Sequence, residues 1–279
     1  MPRTLTSTTT PYLVRLTRLC RLGLHLTRGI LIVATRYKRL AQPERAVVTR
    51  RWSAQLLKIL GISLKVNGLN PGFYPPNTLL VANHVSWLDI FVLNSVTVSR
   101  FVAKREIRDW PVIGWLVQVG GTLFIDRSNR RDACRVNQQL AEALAKGGCM
   151  AVFPEATTSD GRGLLPFKSS LFEAALLAKG TVQPVALRYQ LPDGELTTAA
   201  AYAGDTTFWQ SLSQMLAVPA MEVELTYGQP LKAGINGLDN RFQLSELARL
   251  EISKSLRLPL PDTPDTVAKT AADPQAVAP

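Results

Sequence analysis

Histidine is nearly absent from this 279-residue chain, which has two, His25 and His84. Cysteine is almost as scarce: Cys20, Cys134 and Cys149 stand far apart, with no Cys-x-x-Cys pair. On ligand count these scarcities exclude a usual tetrahedral zinc site, and the scattered cysteines read as reduced, packed thiols on the cytosolic side. No Gly-Lys-Ser/Thr follows a glycine-rich loop and no Gly-x-Ser-x-Gly elbow occurs, which removes a P-loop enzyme and a serine lipase. Acidic charge is missing from one region only. Residues 1–60 hold 12 Lys/Arg against the single acid Glu44, whereas residues 61–279 hold 20 of each sign. The formal net charge of +11 therefore sits at the N-terminus of an otherwise neutral body. A long unbroken apolar run is lacking as well. A spanning helix needs ~20 mostly apolar residues, and the Leu-rich stretch Tyr12 to Val33 is interrupted by Arg15, Arg18, Arg21 and Arg28. Each central Arg costs roughly 2.5–3.5 kcal/mol on insertion and each Leu returns only about 0.5. Neither a span nor a secretory signal is expected there.

What that stretch does contain is amphipathic order. On a helix the arginines fall on one arc with His25 and Arg36, and Leu16, Leu19, Leu24, Leu26, Ile30 and Leu31 cover the opposite arc. This pattern predicts a helix lying in the membrane interface, leucines in the acyl region and guanidinium groups among anionic lipid phosphates. A basic helix packed on the protein's own core is the alternative. Ala46 to Leu60 forms a second amphipathic stretch around Trp52, Leu56, Leu57 and Leu60. No nucleic-acid-binding motif accompanies the charge, so the expected partners are membrane lipids, including anionic phospholipid, and not nucleic acid. The expected location is the cytoplasmic face of the inner membrane.

The chain as a whole is built for a core, with 46% hydrophobic and 19% charged residues and a mean hydropathy of +0.06. Short β-rich runs predict strands at 63–66, 78–82, 122–125, 150–153, 182–189 and 223–227, and helical spacing predicts helices over 132–146 and 170–179. Strands alternating with helices give an α/β fold, expected as a mixed central sheet flanked by helices and preceded by the amphipathic membrane-associated helices. The expected organisation is 1–60 for membrane binding, 61–257 for the globular domain, and 258–279 as a disordered tail rich in Pro, Ala, Thr and Asp.

Chemistry concentrates after the strand 78–82, in Asn83-His84-Val85-Ser86-Trp87-Leu88-Asp89. On a regular helix His84 and Asp89 would point about 140° apart. They meet only if His84 stands in the loop and Asp89 in the first turn of the following helix. There the carboxylate accepts Nδ1–H, fixes the tautomer and leaves Nε2 free to take a proton. A structural or capping histidine would use the same residues. Two further segments follow strands in the same way: Gly120 to Arg127, ending Ile125-Asp126-Arg127, and Phe153-Pro154-Glu155-Ala156-Thr157-Thr158-Ser159. Both lie where open α/β sheets gather ligands, beyond the carboxyl ends of the strands.

Taken together these motifs resemble the glycerolipid acyltransferase family, the membrane-bound enzymes that make phosphatidic acid from lysophosphatidic acid, over roughly residues 60–230. The Asn-His-x-Ser-x-x-Asp block is met by Asn83, His84, Ser86 and Asp89. The Ile-Asp-Arg block is met by Ile125, Asp126 and Arg127. The Phe-Pro-Glu-Gly-Thr-Arg-Ser block is met by Phe153, Pro154, Glu155, Thr157 and Ser159. Pro184 matches the fourth block, and Lys104 matches the lysine between the first two. The resemblance implies His84 as general base with Asp89 as its partner, Arg127 and Glu155 at the acceptor head group, and Asn83, Ser86, Lys104, Thr157 and Ser159 around the substrates. It implies an acyl thioester donor, acyl-CoA or acyl carrier protein, with no resident cofactor and no metal. Two departures stand out. Ala156 replaces the usual Gly, which matters only if that backbone needs a positive φ. Thr158 replaces an Arg that would form charge-assisted bonds to a phosphate. Arg127, Lys104, Arg162 and Lys168 are the other sources of positive charge for a phosphate, and the second departure keeps a related branch in view, the acylation of lyso-ornithine lipid. A peripheral lipid-binding protein is the non-enzymatic alternative.

Overall fold

The computed structural model describes residues 9–126 and 129–259. It opens with the long helix α1 (Tyr12–Thr35) and α2 (Gln42–Leu60), then β1 (Ile62–Gly68), β2 (Thr78–Ala82), α3 (Asp89–Val96) and β3 (Arg100–Lys104). A 3-10 turn over Arg105–Asp109 leads into α4 (Ile113–Val119), β4 (Leu123–Ile125), α5 (Arg130–Ala145) and β5 (Cys149–Val152). The chain closes with α6 (Glu173–Leu177), β6 (Thr181–Gln190), α7 (Phe208–Ala217), β7 (Met221–Tyr227), β8 (Leu231–Lys232) and α8 (Arg241–Leu256). Local chemistry sets many of these ends. Asn129, Thr207 and Asn240 accept backbone N–H groups at the starts of α5, α7 and α8. Gly61, at φ +78, terminates α2 in the left-handed region, and a Cβ there would also collide with the Arg18 guanidinium.

The sheet runs β1-β7-β6-β2-β5-β3-β4, with β8 pairing on β6. It is parallel except where β6 meets β7 and β8 antiparallel, so it is mixed. The central strands β2 and β5 are buried at every position. Strand alternation divides the core into two layers. Leu80 and Ala82 of β2 join Val185, Leu187 and Tyr189 of β6 under α2, α3 and α7, while Leu79 and Val81 join Met150 and Val152 under α5, α6 and α8. This is a three-layer α/β/α arrangement that directs the carboxyl ends of β2, β5, β3 and β4 to one edge.

Both N-terminal helices belong to the same body. Leu56, Leu57, Ile59 and Leu60 of α2 are core residues, and Leu22 of α1 packs with them. Part of the arc expected among lipid phosphates turns inward instead. His25 is buried, its ring stacked on Trp52 at 4.5 Å, and Arg18 donates to the carbonyls of Val218 at 3.0 Å and Pro219 at 2.6 Å. Those carbonyls at the end of α7 supply the acceptors that a guanidinium requires when it leaves water. The leucines consequently face outward, with Leu13 at 74% and Leu24 at 73% exposure. No helix among the described residues is long and apolar enough to cross a membrane.

Candidate active site

Strand β2 ends at Ala82, and the next residue continues its ladder with a side chain. Asn83 Nδ2 donates to the Leu187 carbonyl at 3.0 Å and its Oδ1 accepts the Leu187 N–H at 2.8 Å, so the amide ties the outgoing loop to β6. His84 then stands in the loop and Asp89 is the first residue of α3. His84 Nδ1 lies 2.8 Å from Asp89 Oδ2. The same oxygen accepts the N–H groups of Val85 at 2.8 Å and Ser86 at 2.9 Å. Its partner oxygen, Oδ1, accepts the Tyr189 hydroxyl at 2.6 Å. A carboxylate that is 0% exposed thus has four donors, and it sits at a helix N-terminus where the peptide dipoles favour its charge. The imidazole lies flat on Phe153 at 3.9 Å, and its side chain retains 20% exposure. With Nδ1 engaged, Nε2 is the nitrogen available to a ligand.

The loop after β5 clamps the backbone of His84 from the other side. Glu155 Oε1 accepts the His84 N–H at 2.7 Å, Glu155 Oε2 accepts the Leu165 N–H at 2.9 Å, and the Ser159 N–H donates to the His84 carbonyl at 2.8 Å. Burial raises the Glu155 carboxyl above its ordinary value, while the Leu165 and His84 amides oppose the shift. Three residues expected around the substrates therefore have other engagements. Asn83 and Glu155 are buried with their polar atoms paired to backbone, and the Ser86 hydroxyl is buried without a partner while its N–H serves Asp89. His84, Asp89, Glu155 and Ser159 are brought together as the motifs imply. Thr157 is exposed on the same loop and Lys104 is exposed at the carboxyl end of β3. Arg127 lies outside the described residues.

One feature of the site escaped the motifs. Tyr189 belongs to the predicted strand 182–189, on the same face as Val185 and Leu187, and a buried tyrosine needs a hydroxyl partner; the missing signal was which carboxylate that face would meet. Burial first, then the Asp89 charge, pushes the Tyr189 hydroxyl well above its ordinary range, so it remains a donor. Ala156 adopts φ +63, the conformation that makes the glycine-to-alanine departure costly. Thr158 donates its hydroxyl to the Tyr202 carbonyl and offers no positive charge.

A histidine and carboxylate held at the carboxyl edge of a mixed sheet, with residues 66–188 matching the family model Acyltransferase, define an acyltransferase enzyme. The chain is 41% identical over 211 residues to the 1-acyl-sn-glycerol-3-phosphate acyltransferase of Neisseria gonorrhoeae, covering 72% of this chain and 80% of that protein. It is 38% identical over 218 residues to the lyso-ornithine lipid O-acyltransferase of Pseudomonas aeruginosa, covering 78% of this chain and 80% of that protein. It belongs to the 1-acyl-sn-glycerol-3-phosphate (LPA) acyltransferase family. The crystal structure of the LPA acyltransferase PlsC from Thermotoga maritima shares the fold, with a TM-score of 0.63 at 20% identity over 88% of this chain and 94% of that one.

Proposed function

We propose that this enzyme moves a fatty acyl group from an acyl thioester, acyl-CoA or acyl carrier protein, to the hydroxyl of 1-acyl-sn-glycerol-3-phosphate, giving phosphatidic acid. The observation that carries the reading is the 2.8 Å contact of His84 Nδ1 with Asp89, which leaves Nε2 unengaged by that carboxylate. Nε2 removes the hydroxyl proton as the oxygen attacks the thioester carbonyl. The tetrahedral intermediate collapses, the C–S bond breaks, and the imidazolium returns the proton to the departing thiolate. Asp89 holds the ring and stabilises the imidazolium. General-base assistance of this kind is worth ~10²–10⁴-fold. No acyl-enzyme is required, because no serine or cysteine nucleophile is paired with His84 among the described residues.

The enzyme works at the membrane surface on its cytoplasmic side. The outward leucines of α1 enter the acyl region, and exposed Arg21, Arg28 and Arg36 meet anionic head groups. Thr158 favours a second reading, in which the acceptor is lyso-ornithine lipid, whose head group does not need the missing arginine. A thiol-release assay with acyl thioester and each lysolipid decides between them. Release that depends on lysophosphatidate supports the first reading, and release that depends only on lyso-ornithine lipid supports the second. Release without any lysolipid marks a thioesterase, and no release marks a lipid-binding protein; either result overturns both readings.

A further inference from the structure

Beside the edge strand β4 lies a cavity of about 430 Å³ that the chemistry at His84 does not use. Arg105, Arg108 and Arg135 line it with the amides of Gln118 and Gln139, and Asp132 is the one acid in its lining. Asp132 is already committed. Its Oδ2 accepts the Asp126 N–H at 2.7 Å and its Oδ1 accepts Arg135 Nε at 2.8 Å, contacts that hold its carboxyl below the ordinary range. Arg135 is fixed further by Gln139 Oε1 at 2.9 Å and the Phe124 carbonyl at 3.2 Å. Arg105 reaches Asp126 at 3.7 Å, and Arg108 forms no ion pair among the described residues. Three guanidinium groups against the two carboxylates of Asp132 and Asp126 leave the site with an excess of positive charge. Guanidinium forks supported by amide donors suit phosphate oxygens.

Position selects which phosphate. Strands β2, β5, β3 and β4 run parallel, so Arg105 and Arg108, just after β3, leave the sheet at the same edge as His84, just after β2. Three interstrand steps place β4 roughly 14 Å across the sheet from β2. The phosphate of a glycerol phosphate acceptor sits on the carbon next to the one bearing the reacting hydroxyl, and it cannot lie that far from Nε2. A thioester on a pantetheine arm can. We infer that this cavity seats the phosphate at the root of the acyl donor's pantetheine arm, with the arm running along the carboxyl edge of the sheet to His84. The inference rests on the acyl-thioester reading above. Both carriers, coenzyme A and acyl carrier protein, present that phosphate.

The test uses the full chain and two variants, Arg108→Glu and Gln118→Glu, each checked for an unchanged thermal transition. Kinetics are measured with acyl-CoA, acyl carrier protein and acyl-pantetheine, which has no phosphate. The expected result is a KM for the carrier used that rises about tenfold or more in both variants, as loss of a charged hydrogen bond implies. The KM for the lysolipid and the rate with acyl-pantetheine stay at wild-type values. The arm that responds, acyl-CoA or acyl carrier protein, identifies the source of the phosphate. An unchanged KM for both carriers, or a rise in the lysolipid KM instead, overturns the inference. If the wild type transfers no acyl group at all, the thioester reading has failed, and calorimetric titration with coenzyme A and with phosphopantetheine-bearing carrier protein judges the cavity by itself. Binding that Arg108→Glu abolishes supports the site, and absent or undiminished binding overturns it.

Discussion

Asp89 bears most of the organisation around His84, because its two oxygens collect a ring nitrogen, two loop amides and a phenol. Tyr189 is the member that acts only through Asp89. Tyr189→Phe removes one of four donors and leaves the packing volume nearly intact, so kcat should fall about tenfold with little change in KM, in line with a hydrogen bond to a charged group. A purely structural role would instead lower the thermal transition and leave kcat unchanged. Ala156 tests the opposite kind of departure. Its φ of +63 costs an L-residue roughly 1–2 kcal/mol, and glycine returns part of that as unfolded-state entropy, so Ala156→Gly should stabilise the fold by about 0.5–1 kcal/mol in denaturant titration. Glu155 gives a pH signature. Because its folded carboxyl lies above the ordinary range, its favourable contribution is present below the ordinary carboxylate pKa and is lost as pH rises through the raised value. Asp132 shifts the other way. The signature therefore appears in the wild-type minus Glu155→Gln difference in unfolding free energy, which should decline with pH across that window and then level off.

At the level of elements, the helix α1 departs from an ordinary surface helix: Arg18 and His25 of its polar arc join Leu22 in the contacts to the body, while leucines of its apolar arc look out. Periodicity alone located the helix and both arcs but could not say that Arg18 would find the Val218 and Pro219 carbonyls, some 200 residues along the chain. Strands were legible because their signal is local. The predicted strand 78–82 has the bounds of β2, and 223–227 falls inside β7. The third strand, β3, was missed because Arg100-Phe101-Val102-Ala103-Lys104 is charged at both ends, and α7 and α8 went unread although Thr207 and Asn240 cap them. The predicted helix 170–179 is split, a 3-10 turn over Ser169–Phe172 preceding α6. Motif residues named the site but not the use of each side chain; that Asn83 and Glu155 grip backbone is a long-range fact. Leu24→Asp combined with Leu31→Asp alters only the exposed arc of α1. Sedimentation with anionic vesicles should lose the variant to the supernatant while its thermal transition is kept. Equal sedimentation of both proteins would remove α1 from the lipid contact.

For the whole molecule, the division of charge and chemistry follows the division of surfaces. The basic, leucine-faced N-terminal helices cover one layer, the neutral body carries the sheet, the carboxyl edge of that sheet gathers His84, the 155–159 loop and Lys104, and the arginine-lined cavity flanks β4. In the proposed reaction, a lysolipid approaching from a bilayer and a thioester arriving from water meet at one imidazole without a covalent relay. Everything downstream of that arrangement depends on Nε2 accepting the proton. The decisive measurement is the lysolipid-dependent release of thiol by purified His84→Ala with a wild-type thermal transition. The account predicts a rate lower by about 10²–10⁴-fold; a variant that makes ester as fast as the wild type would contradict it.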